Sequence, residues 1–138
     1  MMLGLLSFGQ IKMVSQFCKD VISDNQDIVF ICAINKNGRI IDMEKKNDSI
    51  FSLLSKHESE ILFMQRILQI SMMRDLDEKL GKLGMAIMER EYFTECLFPF
   101  NDGAVLILFN SSDIRSIAKK IWSQVQLLDE QIKTPLAC

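Results

Sequence analysis

Two segments of the chain are apolar without interruption, IVFICAI from Ile28 to Ile34 and AVLILF from Ala104 to Phe109. A strand with one face in water alternates apolar and polar residues. An unbroken, β-branched run of this length instead describes a strand covered on both faces. A sheet holding two such strands has them side by side in its middle and has helices on both sides. That requirement limits the architectures open to the chain more than any other feature of it.

The remaining strands follow from their turns. Asn37-Gly38 separates the first run from Arg39–Met43 and predicts a two-residue type I′ hairpin, with the second strand at the sheet edge. The polar run Glu44–Ser49 predicts a surface loop. Lys82–Glu91, Tyr92–Phe100 and Ala104–Asn110 predict a three-stranded meander, with Asn101-Asp102-Gly103 turning into its last strand. Pro99 falls near a strand end, where a missing N–H is tolerable. Short connections then place the strands in the order 2-1-5-4-3, antiparallel throughout.

Helix signals fill the gaps. Ser7-x-x-Gln10 predicts a capping box opening a helix that ends at Asp24–Asp27, with Phe8, Ile11, Val14, Phe17, Cys18, Val21 and Ile22 on its apolar side. Ile50–Leu54 predicts a short helical turn over the sheet. Ser55-x-x-Glu58 predicts a second box, opening a long helix to about Leu76. Ser111-Ser112-Asp113 predicts the cap of a final helix whose stripe is Ile114, Ile117, Ala118, Ile121, Trp122, Val125 and Leu128. The expected fold is α+β in the order α-β-β-α-β-β-β-α. The long helix lies on one face of the sheet and the terminal helices on the other. At 138 residues a single domain is expected, with a core from 7 to 128 and a tail from 129 to 138.

The long helix carries more apolar surface than one sheet can cover. At about 100° per residue, Ile61, Met64, Leu68 and Met72 form one stripe, and Phe63, Ile67 and Ile70 form a second. Burial of each such side chain contributes roughly 1.5–3 kcal/mol, so the excess calls for a second partner surface. Ile50–Leu54 folding over the helix would supply one. A twofold homodimer through Ile61, Phe63, Met64, Ile67, Leu68 and Met72 would supply another, and is the expected interface. A Met-rich groove for a partner helix is the third reading.

Reactive chemistry is not signalled. His57, the single histidine, stands at a helix start with no serine or cysteine at a recognisable spacing. The cysteines are scattered: Cys18, Cys32 and Cys96 fall in apolar segments and are expected to be buried and inert, and Cys138 is expected as a free thiol. The chain therefore predicts no catalytic site, no cofactor and no metal, and its thiols fit a reducing cytoplasm. Gly81-x-x-Gly84 precedes a strand, whereas phosphate-binding loops precede a helix. A net charge of −2 argues against a nucleic-acid surface. No run of about 18 apolar residues is available to span a membrane, and MMLGLLSFG lacks the basic flank and cleavage site of a signal peptide.

The succession of a helix, IVFICAINKNGRIID, a long apolar helix, a three-stranded meander and a closing helix resembles the roadblock family. These are small dynein light-chain-like and GTPase-regulator domains, related in shape to longin and profilin-like folds. The likeness spans about residues 7 to 128, and its most local carrier is Asn35-Lys36-Asn37-Gly38-Arg39-Ile40-Ile41. It implies a homodimer formed by the long helix and the following strand, joining two sheets, and a role in scaffolding or small-GTPase regulation. No residue marks a GTPase contact. A PAS-like small-molecule sensor shares the strand order, and a non-catalytic subunit of a hetero-oligomer also fits; both stay open at this point.

Overall fold

The computed structural model describes residues 6–46, 53–110 and 114–133. Its elements are α1 (Phe8–Asp24), β1 (Ile28–Ile34), β2 (Ile40–Lys45), α2 (Lys56–Arg74), a short α3 (Asp77–Leu80), β3 (Ala86–Glu89), β4 (Thr94–Phe100), β5 (Gly103–Phe109) and α4 (Arg115–Lys133). The five strands form one sheet in the order β2-β1-β5-β4-β3, with every pairing antiparallel.

The apolar runs sit where their composition demands. All seven residues of β1 are buried, and β1 and β5 pair at the centre of the sheet. One face packs on α1 and α4, where Val14, Cys18, Ile121 and Val125 meet Ile31, Ala33 and Phe98. The other face packs on α2, where Phe63, Ile67 and Ile70 meet Phe30, Cys32, Leu97 and Leu106. An irregularity in the β1–β5 register between Ile28 and Phe30 lets Val29 and Phe30 both join the α2 side.

Both capping boxes form. Ser7 Oγ accepts from Gln10 N at 3.1 Å, and Ser7 N donates to Gln10 Oε1 at 2.8 Å. Ser55 and Glu58 repeat the arrangement at 3.0 and 2.9 Å. Each box satisfies donors that a helix start leaves orphaned.

The structure corrects several sequence expectations. The β1–β2 turn is not type I′, because Gly38 (φ 75°) is the only residue of that turn with positive φ. Gly38 N donates to Asn35 O, while Asn35 Oδ1 accepts from Asn37 N and Arg39 N. The asparagine side chain thus supplies an acceptor inside the turn, widening it to a three-residue loop that ends in a left-handed glycine. The register then slips between Ala33 and Ile34. β2 runs on to Lys45, so Glu44 and Lys45 belong to the strand and not to a loop. Polar side chains are compatible with an edge strand.

The third strand starts at Ala86 and not at Lys82; α3 ends at Leu80 and residues 81–85 lead into the strand without joining it. Asp77 Oδ1 accepts from Leu83 N at 3.0 Å and holds the chain in a turn there. The last helix continues to Lys133, where a tail from residue 129 was expected. Ile132 is buried, and Asp129 Oδ1 accepts from Asn101 N at 2.8 Å, tying the helix end to the β4–β5 turn. On α1 burial begins at Val14; Phe8 and Ile11, expected on the apolar side, are exposed, and Lys12 Nζ lies 4.7 Å from the Phe8 ring centroid.

In the β4–β5 turn, Asn101 has φ 53° and Gly103 approaches the backbone of Ile34 and Asn35 too closely to admit a Cβ. The expected turn at Ile50–Leu54 lies mostly outside the described residues, as do Ser111–Asp113, Cys138 and the loop beyond Lys46.

Candidate interaction surface on the long helix

The 19 residues of α2 divide into two rows. Phe63, Ile67 and Ile70 recur at helical spacing and are at most 8% exposed, packed on the sheet. Roughly opposite them, Ile61, Met64, Leu68 and Met72 are 43, 43, 57 and 69% exposed. Of the six residues expected at an interface, Phe63 and Ile67 therefore belong to the chain's own core and are corrected out of it. The other four form a continuous apolar row facing away from the sheet. Met73, Leu76 and Leu80 extend the exposed apolar surface toward α3.

The helix meets the sheet through Phe63, Ile67 and Ile70. On one flank lies a hollow of about 570 Å³, bounded by the first half of α2, the turn Arg90–Phe93 and Leu108 of β5. On the other flank a groove of about 710 Å³ separates α2 from β2 and its hairpin. The hairpin still meets the helix at one point: a Cβ on Gly38 would stand 2.7 Å from Met64 Sδ.

An ion pair sits under the helix, and sequence reasoning overlooked it. Arg66, between the sheet-facing Phe63 and Ile67, uses Nε and Nη2 on the two carboxylate oxygens of Glu95, the Nη2 contact measuring 3.0 Å. Both residues are buried, at 8 and 3% exposure. The available signal was one charge in an otherwise uncharged strand, TECLFPF, facing one charge at a sheet-facing helix position. Such a pair adds little net stability, yet losing one partner leaves a buried charge and typically costs about 3–5 kcal/mol.

Cys18, Cys32 and Cys96 are buried. Burial pushes all three thiols up, with Asp42 and Glu44 adding to the effect at Cys18, and Cys96 reaches about 12. As thiols they are poor nucleophiles. His57 is exposed in the first turn of α2. Among the described residues no cluster of three or more metal-ligating side chains occurs, and no helix is long and apolar enough to cross a membrane.

No protein-family model matches the chain, and no curated protein matches it at a significant level. Solved structures do resemble it in shape. A Roadblock/LC7 domain from Streptomyces avermitilis superposes with a TM-score of 0.62 at 7% identity, covering 86% of this chain and 93% of that one. The gliding protein MglB from Thermus thermophilus gives 0.66 at 11% identity, covering 95 and 99%. A structure described as MglB with tetrameric arrangement gives 0.64 at 10% identity, covering 96 and 99%. The chain has the roadblock fold, and the strand order and helix placement expected from its sequence are those of the structure.

Proposed function

We propose that the chain is a non-catalytic interaction or regulatory module that acts as a homodimer, with Ile61, Met64, Leu68 and Met72 at the centre of the interface. One observation carries this reading. The row is largely exposed on a helix whose other apolar row is already buried, so among the described residues most of its apolar surface is left uncovered. A contiguous patch of this kind is a recognised mark of an association surface. Meeting its own copy across a twofold axis is the simplest way to cover it.

Strand β3 is the proposed second element. It is the sheet edge next in the chain after α2 and α3, only four residues long, with Ile87 46% exposed. Pairing β3 with its copy would continue the sheet across the dimer and remove an open edge. A fold shared with MglB in a tetrameric arrangement is in keeping with self-association.

Light scattering at micromolar concentration tests the dimer. Twice the chain mass of 15.9 kDa is expected, and a clean 15.9 kDa species overturns it. A monomer that becomes a complex only with a second chain would point to the hetero-oligomer instead. Regulation of a small GTPase is the reading that the roadblock fold suggests for the partner. It is tested by the nucleotide-hydrolysis rate of a small GTPase from the same cell, with and without this chain.

A further inference from the structure

The 570 Å³ hollow beside α2 is of the size that small organic ligands occupy, and its walls are mostly apolar: Leu54, Ile61, Leu62, Phe93 and Leu108. Glu58 and Gln65 of α2 also border it. Arg66 and Glu95 are buried at its inner side, and Arg90 and Tyr92 are exposed at its mouth.

The guanidinium of Arg66 is only half used. Its Nε and Nη2 meet Glu95, whereas among the described residues Nη1 has only Gln69 Oε1, at 3.5 Å, the outer limit of a hydrogen bond. Arginine carries five N–H donors, so the Nη1–Nη2 edge keeps donors without a good acceptor. That edge is only part-buried and lines the hollow, and a planar fork of two N–H groups matches a carboxylate. Glu58, the other acid bordering the hollow, is held by its helix cap, where Oε1 accepts from Ser55 N at 2.9 Å, and the acceptors that Arg66 meets are Glu95 and Gln69 instead. Arg90 is a second cation at the hollow, set against the two carboxylates Glu58 and Glu95.

We propose that this hollow binds a small organic acid, its apolar body against Leu62, Phe93 and Leu108 and its carboxylate on the free edge of Arg66. Glu95 is a positioning residue: it fixes the guanidinium plane through the opposite edge and needs no contact with the ligand. The hollow shares only Ile61 with the exposed row of α2, so the site does not depend on self-association.

Octanoate and octanol, equal in length and differing in the charged head, are the probes. Calorimetry on the full chain at neutral pH should show octanoate binding on the order of tenfold more tightly than octanol, the margin of a charge-assisted hydrogen-bond pair. Chemical-shift changes should centre on Leu62, Phe93 and Leu108. The double variant Arg66→Met/Glu95→Leu removes both charges together and so leaves no buried ion unpaired. It should abolish the preference while retaining weak octanol binding. Leu108→Trp, which narrows the hollow from the sheet side without touching the ion pair, should weaken both ligands and serves as the check if the double variant does not fold. Equal affinity of the wild type for the two probes overturns the proposal, as does absence of octanoate binding at millimolar concentration. A preference for octanoate that survives in a folded double variant also overturns it.

Discussion

Helices α2 and α4 are each 19 residues long and lie on opposite faces of the same sheet, yet they resolve their apolar content differently. In α4 the stripe Ala118, Ile121, Val125, Leu128 and Ile132 is buried, while Arg115, Lys119 and Lys120 face outward. In α2 the buried row is shorter, is interrupted by Arg66, and has a second apolar row behind it. One helix uses its hydrophobicity to close the fold. The other divides it between the fold and a surface left open, with a hollow along one flank and a groove along the other. Apolar content alone therefore does not measure how firmly a helix is docked; the angular spread of the apolar residues decides what is left over for a partner.

The comparison can be broken most forcefully in α4. Ile121→Asp puts a charge into a fully buried site and should abolish the cooperative unfolding transition followed by circular dichroism. A folded variant would mean that α4 does not close the core. Next in size is Arg66→Ala, which strands Glu95 and should lower stability by about 3–5 kcal/mol in urea titration. Arg66→Met/Glu95→Leu should recover most of that loss, and a double variant as unstable as the single one would show that the pair is not coupled.

Leu68→Asp should leave the unfolding free energy of the isolated chain within about 0.5 kcal/mol, as for other exposed positions. Its effect belongs in the sedimentation profile, where the dimer should dissociate; Lys119→Ala on the outer face of α4 should change neither quantity. Equal behaviour of the two variants would mean that the exposed row of α2 has no special role.

The smallest effect concerns acid. The two capping boxes differ in one residue, since Gln10 closes the first and Glu58 the second. Hydrogen bonds from the Ser55 backbone and then its side chain hold the Glu58 carboxyl below its ordinary value. A depressed folded value means that the carboxylate's contribution is present above the unfolded pKa and is lost as pH falls through the folded one. Backbone amides at the start of α2 should therefore lose exchange protection as pH falls through and below the ordinary carboxylate range, while those at the start of α1 do not. Glu58→Gln should remove the difference.

Much of this architecture was legible in the residues. Continuous runs at 28–34 and 104–109 located the two central strands, because only strands covered on both faces dispense with alternation. Both capping boxes could be read directly, being local and specific in their donors and acceptors. The division of the long helix into two rows was visible as well. Which row faces the sheet was not, because both rows are apolar and helical periodicity has no knowledge of the partner.

The errors share a physical origin. Asn35 widened the hairpin by accepting two backbone donors, an interaction that competes with the turn its neighbours Asn37-Gly38 would make alone. Asp77 delayed β3 by catching Leu83 N, and Asp129 kept α4 helical by catching Asn101 N. Each is a polar side chain whose partner lies several residues or an entire element away.

The amino-acid sequence by itself determined the strand order, the sheet centre, the capped starts of α1 and α2 and the surplus of apolar surface on residues 58–76, since these depend on composition and spacing along the chain. Only the tertiary structure decided that Phe63 and Ile67 lie inside while Ile61, Met64, Leu68 and Met72 lie outside, and that Arg66 meets Glu95 across 29 positions of sequence. Those outcomes depend on how a helix is rotated about its own axis against a sheet. That rotation is fixed by the sum of many contacts from distant segments, which no local pattern records.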